Sequence, residues 1–134
     1  MRELTTEAST EKLDEVLDFI DAELEAMGCG MKTVNQINLA VEEIFVNIAH
    51  YAYDHEGGRA RITVTEKDGS AEITFADRGI PYNPLERPDP DVTLSAEERK
   101  IGGLGIFLVK KIMDTVSYEY KDGCNVLTMS KKCL

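Results

Sequence analysis

Three short stretches hold residue types at spacings that chemistry can use. The first is Glu43-Ile44-Phe45-Val46-Asn47. A spacing of four puts Glu43 and Asn47 one helical turn apart, on one line with Gln36, Ala40 and His50. That line borders a broad apolar face of Val34, Ile37, Val41, Ile44, Phe45, Ile48 and Ala52. A carboxylate and an amide along the edge of a mostly buried helix suggest a site, whereas Glu42 falls on the solvated side. The second stretch, Ala76-Asp77-Arg78-Gly79, sets an acid where a strand leaves its sheet, a common place for ligands. Gly79 lets another group approach the backbone closely. The third is Gly102-Gly103-Leu104-Gly105, which runs into the apolar segment Ile106–Asp114. The first N–H groups of a helix lack internal partners, and glycines leave them uncovered. An anion, phosphate above all, fits there against the positive end of the helix dipole.

These residues need elements to hold them. Residues 2–7 read as a short edge strand. Ser9-Thr10 offers an N-cap, and Lys12 to Met27 form a helix with Leu13, Val16, Leu17, Ile20 and Leu24 as its apolar stripe. Gly28 and Gly30 end it. Thr33-Val34-Asn35-Gln36 has the pattern of a capping box opening the helix that runs to about Tyr53 and carries Glu43 and Asn47. Ile62 and Val64, then Ile73 and Phe75, alternate as strands joined at Lys67-Asp68-Gly69-Ser70, and the second delivers Asp77. All four prolines lie in the irregular stretch from Pro81 to Lys100, whose length suits a lid or binding loop, with a helical turn capped by Ser95 inside it. In the glycine-started helix, Leu104, Phe107, Leu108 and Ile112 form the expected buried stripe, with Ile106 and Val109 beside it. A second hairpin follows around Lys121-Asp122-Gly123. Two helices, a hairpin, a loop, a helix and a hairpin predict an α+β two-layer sandwich, a mostly antiparallel sheet covered on one face by three helices.

Composition narrows the partners. At 134 residues the chain reads as one domain, residues 1–134. A net charge of −10 disfavours nucleic acid. A polyanionic ligand must then be held by backbone N–H groups, a few cations and a metal ion against the overall field. No apolar run is long enough to span a bilayer, and Met1–Glu7 lacks the apolar core of a secretory signal, so no membrane association and a cytoplasmic location are expected. Cys29, Cys124 and Cys133 are an odd set without metal-ligand spacing, which predicts buried or incidental thiols rather than a disulfide or a zinc site.

The three stretches, in this order and context, resemble the GHKL (Bergerat) ATP-binding fold of gyrase B, Hsp90, MutL and histidine kinases. Within it the chain is similar to the bacterial anti-sigma factor serine/threonine kinases, over roughly residues 10–132. The likeness rests on Val41-Glu42-Glu43-Ile44-Phe45-Val46-Asn47, Asp77-Arg78-Gly79-Ile80-Pro81-Tyr82-Asn83-Pro84 and Gly102-Gly103-Leu104-Gly105-Ile106-Phe107-Leu108-Val109. The resemblance implies that Asn47 helps coordinate Mg²⁺ bridging the phosphates of ATP, that Glu43 is the general base, and that Asp77 receives the adenine amino group. Gly79, Gly103, Leu104 and Gly105 complete the nucleotide site, and Arg99 or Lys100 is placed to meet the γ-phosphate.

The chain departs from the family pattern in three places. Pro81 stands where a further glycine is usual. Tyr51 and Ala52 replace a His and a Gly found in some kinases of the group, so His50 inherits no role. Gly123-Cys124-Asn125 replaces Gly-Thr-Thr before the last strand, leaving Asn125 to supply the adenine-side hydrogen bond. The function so implied is an ATP- and Mg²⁺-dependent protein serine/threonine kinase of partner-switching type. It would hold a sigma factor and phosphorylate a STAS-type anti-anti-sigma protein, as a homodimer. The alternative is a regulatory module that binds ATP and a protein partner without phosphotransfer. The catalytic unit of a histidine kinase is a third reading, but no phosphoacceptor segment precedes the motifs in this sequence.

Overall fold

The structure, a computed structural model, describes residues 1–52, 58–86 and 103–133. The chain opens with strand β1 (Arg2–Glu7) and a 3-10 turn (Thr10–Lys12) whose Glu11 N–H donates to Ser9 Oγ. Helix α1 spans Leu13–Ala26 and stops where Gly28 takes a φ of 79°, a left-handed conformation that lets Cys29 N–H reach back to Leu24 O at 3.1 Å. Helix α2 spans Met31–Tyr51. It starts earlier than the capping box at Thr33 implies. Gly30 is the extended N-cap, and its carbonyl already accepts from Val34 N–H at 2.9 Å, so Thr33 lies inside the first turn and caps nothing.

Strands β2 (Arg59–Lys67) and β3 (Ser70–Asp77) form the first hairpin, and β4 (Thr115–Lys121) and β5 (Cys124–Lys132) the second. Both turns have two central residues at positive φ, Asp68 with Gly69 and Asp122 with Gly123, as two-residue turns matched to strand twist require. The sheet order is β1-β2-β3-β5-β4, every neighbouring pair antiparallel. Inserting β5 between β3 and β4 sets Asp77 directly opposite Asn125.

One sheet face is apolar: Ile62, Val64, Ile73, Phe75, Leu127 and Met129 are buried against Val16, Ile20 and Leu24 of α1 and Ile37, Val41 and Phe45 of α2. Helix α3 (Gly103–Ile112) completes the layer, which gives the expected α+β two-layer architecture. The buried line of α3 differs from the expected one. Ile106, Val109 and Met113 enter the core, whereas Leu108 is 44% exposed and Phe107 is half-buried. Spacings of three and four starting at Ile106 serve the core as well as the stripe read from Leu104 does, and contact with α2 selects between them.

The cysteines also depart from expectation. Cys29, just beyond α1, and the buried Cys133, just beyond β5, lie 4.4 Å apart at Cα and are joined as a disulfide. They are 104 residues apart in sequence, and folding brings them together: Gly30 N–H donates to Cys133 O, and Cys133 N–H to Gly69 O. Cys124 is free. Among the described residues no helix is long and apolar enough to cross a membrane. Arg99, Lys100, Gly102 and the helical turn expected at Ser95 lie outside the described residues.

Candidate functional site

Asp77 ends β3 and is 5% exposed; Asn125, opposite it on β5, is 7% exposed. Burial of two polar side chains demands partners, and here they are found together. Asn125 Nδ2 donates to Asp77 Oδ1 at 2.9 Å and to Ile80 O at 2.9 Å. Asn125 Oδ1 accepts from Tyr82 N–H at 3.1 Å and from the Tyr118 hydroxyl. Gly79 N–H also donates to Asp77 Oδ1, at 2.9 Å. Both bonds to the carboxylate fall on Oδ1, and no described residue bonds Oδ2. The sequence suggested Asn125 as a ligand contact. The structure makes it a clamp between β3, β4 and the loop after Asp77.

That loop also docks on the end of α2. Ile80 N–H donates to Ala52 O at 2.7 Å, filling one of the acceptors that a helix C-terminus leaves open. The approach is so close that a Cβ on Gly79 would lie 2.1 Å from Ala52 O. The close approach expected of Gly79 is therefore to the backbone of α2.

Asn47 faces the same region. With Asp77 and Asn125 it lines a cavity whose walls include the apolar Ile44, Ile48, Phe75 and Leu127 and the rings of Tyr51, Tyr82, Pro84 and Tyr118. Its volume is about 40 Å³, too little for a purine, so those walls must part to admit one. Among the described residues no three His, Cys, Asp or Glu side chains cluster as metal ligands. A cation here would rest on the Asn47 amide and on oxygens of its ligand, a pattern magnesium accepts.

One turn before Asn47, Glu43 meets the start of α3. Gly105 is buried directly against it, and a Cβ at Gly105 would lie 2.0 Å from Glu43 Oε2. Gly103 is the first residue of α3, and Gly105, in the helix's first turn, stands beside the carboxyl. Burial raises the Glu43 pKa above the ordinary carboxylate value, and the neighbouring Glu42 charge raises it further. The structure thus brings Glu43 to Gly105, and Asn47 to Asp77 and Asn125. His50 is exposed. Sequence reasoning missed Tyr118 and Tyr82, because only the β4–β5 register and the path of the loop bring them to Asn125.

This arrangement can be set beside known proteins. Residues 6–131 match the histidine kinase-like ATPase domain. The chain belongs to that family. The serine/threonine-protein kinase BtrW of Bordetella bronchiseptica is 30% identical over 96 residues, 70% of this chain and 67% of that protein. The serine-protein kinase RsbW of Listeria monocytogenes is 28% identical over 105 residues, covering 75% and 67%. The chain spans about two thirds of the length of these curated relatives and groups with protein kinases that act on serine or threonine. Among solved structures, the RsbU and RsbW domains of Rv1364c from Mycobacterium tuberculosis align with a TM-score of 0.64 at 14% identity, over 98% of this chain and 32% of that one. The catalytic domain of histidine kinase ThkA aligns at 0.52 and 12% identity, over 99% and 98%. At these identities the structures speak for the fold alone.

Proposed function

We propose that this ATPase-family chain is an ATP- and Mg²⁺-dependent protein serine/threonine kinase that acts on a protein partner. The observation that carries the proposal is the seat of Glu43, which brings a carboxyl of raised pKa against the glycine start of α3. A base works best when its pKa approaches the working pH, and burial moves Glu43 that way. Glu43 takes the proton of the attacking serine or threonine hydroxyl as its oxygen bonds to the γ-phosphorus and the bond to ADP breaks. Gly103, Leu104 and Gly105 offer N–H groups to the phosphates. Asp77, with Oδ1 occupied, turns Oδ2 to the adenine amino group. Asn47 is the metal ligand, and Mg²⁺ when bound neutralises phosphate charge. Asn125 and Gly79 belong to the nucleotide site through the hold they keep on Asp77 and its loop.

The resemblance to anti-sigma factor kinases supports the finer reading: a homodimer in the cytoplasm that holds a sigma factor and phosphorylates a STAS-type anti-anti-sigma protein. Transfer of labelled phosphate from ATP to such a protein tests it, alongside ATP binding by calorimetry. Glu43→Gln is expected to keep ATP binding and lose transfer by about 10²–10⁴-fold. A wild-type protein that binds ATP without transferring phosphate to any STAS partner points to the non-catalytic module. No ATP binding by folded protein overturns the nucleotide reading itself.

A further inference from the structure

Three consecutive residues at the end of β5 hold the ends of two helices. Lys131 Nζ donates to Ile112 O at 2.8 Å, one of the last carbonyls of α3, which the helix itself leaves open. Lys132 N–H donates to Asp114 Oδ2 at 2.8 Å, and Asp114 N–H to Ser130 O at 2.9 Å. Cys133 O accepts from the N–H of Gly30, the N-cap of α2, and the Cys133 sulfur is bonded to Cys29 in the α1–α2 junction. One strand end thus sets where α2 begins and where α3 stops. The same two helices meet again where Glu43 lies against Gly105.

The sulfur bridge is the strong member of this set. The other described bonds to Cys133 are two backbone hydrogen bonds, at 3.4 Å from Gly30 and 3.1 Å to Gly69, each of small net worth. The bridge is also the member that a solute can break. Cys29 is half-buried, whereas Cys133 is 4% exposed. Gly28 and Gly30 flank Cys29, both exposed, and a Cβ on either would meet no atom within 4 Å. A small thiol therefore has an open path to Cys29 Sγ, with Cys133 as the leaving sulfur. A buried cysteine thiol packs as a small hydrophobe, so the reduced chain keeps its core.

We infer that Cys29–Cys133 is a redox latch, opened by thiols of the glutathione class and closed by glutathione disulfide, which sets how firmly the ends of α2 and α3 are tied together. In opening, a glutathione thiolate bonds to Cys29 Sγ, the Cys29–Cys133 bond breaks, and Cys133 leaves as a thiolate that takes up a proton. A second glutathione thiolate attacks the glutathione sulfur of the mixed disulfide, which releases Cys29 as a thiol and forms glutathione disulfide. Two electrons pass to the pair, and closing reverses each step. Disulfides of cytoplasmic proteins are mostly of this transient kind. The inference rests on the proposed function for that location and for the service of the Glu43–Gly105 contact to ATP.

The test equilibrates the full chain at fixed glutathione and graded glutathione disulfide, traps thiols with iodoacetamide and counts them by mass. The ratio of bridged to open protein should rise about tenfold with each tenfold rise in glutathione disulfide, and a Cys124→Ser chain should titrate alike. A bridge that stays closed at the cytosolic poise, or a pair that never closes, overturns the latch. Hydrogen exchange by NMR then compares the two states. Opening should speed the amides of Gly30, Asp114, Lys132 and Cys133 by about tenfold more than those of Gly79 and Tyr82. Equal acceleration everywhere would make the bridge a staple of global stability and overturn the latch. Cys29→Ser should reproduce the open state without added thiol, and Lys131→Met should speed Asp114 while leaving Gly30 unchanged. Circular dichroism of the open chain establishes that it is folded. Affinity for ATP, by calorimetry, should fall about threefold on opening. Equal affinity in both states overturns the tie to the phosphate end. No ATP binding in either state counts against the nucleotide reading, and the exchange rates then decide the latch by themselves.

Discussion

The two ends of the proposed nucleotide site are built by different physics. At the adenine end, Asp77, Asn125, Tyr118 and the loop from Gly79 to Tyr82 are bound to one another by hydrogen bonds between rigid strands, and Gly79 is pressed against backbone. At the phosphate end, Glu43 is seated against Gly105 by shape, and the neighbouring atoms belong to a flexible side chain. The bonded frame around Asp77 and Asn125 is set before any ligand arrives, although the cavity walls beside it must part to admit a base. The second leaves its carboxyl free to shift as charge develops in front of it. Specificity for a base is well served by a rigid end, and proton transfer by a movable one.

Two substitutions at the adenine end should test that contrast most plainly. Gly79→Ala drives a Cβ into Ala52 carbonyl and carbon atoms that cannot yield, and should cost about 3 kcal/mol, the upper part of the overpacking range, in chemical denaturation. Asn125→Ala strips partners from Asp77, Tyr82 and Tyr118 at once. A loss of about 2 kcal/mol in stability and a parallel loss in ATP affinity are expected. An affinity loss without a stability loss would mean that Asn125 touches the base directly, as first read from its place in the sequence.

The phosphate end should answer in the opposite manner. Gly105→Ala meets only the end of a side chain and improves helix propensity by about 1 kcal/mol, so the melting temperature should hold or rise while phosphate transfer falls. A fall in both would show that Glu43 cannot move. The smallest effect concerns pH. A raised carboxylate pKa in the fold means that Glu43 favours folding while protonated, a contribution lost as pH rises through that pKa. Its proposed use as a base demands the ionised form, so the acidic limb of the rate profile should lie above the ordinary carboxylate range. Glu42→Gln removes the secondary cause, and the limb should move to lower pH, but only part of the way, because burial remains.

The sequence revealed local patterns better than encounters between distant segments. Both hairpins were legible because Asp-Gly turns need positive φ and the flanking residues alternate. The polar line through Glu43 and Asn47 was legible from helical spacing alone. The start of α2 was misplaced because Gly30 does with backbone what Thr33 was expected to do with a hydroxyl. The face of α3 was misjudged because two overlapping apolar stripes fit one short helix and only α2 selects between them. The Cys29–Cys133 pair and the Tyr118–Asn125–Asp77 chain of bonds were invisible, since each depends on the strand order that puts β5 between β3 and β4.

Helix α2 carries Glu43 and Asn47 and then receives the loop of Asp77 at its last carbonyls. It therefore acts as a ruler. The nine steps from Glu43 to Ala52 set the span between the acid and the adenine loop at about 13 Å, at 1.5 Å per residue. One inserted residue would lengthen it by that single step and turn one end by about a quarter of a circle relative to the other. Between those residues the positions outside the site and the core can change their letters, yet their count is fixed.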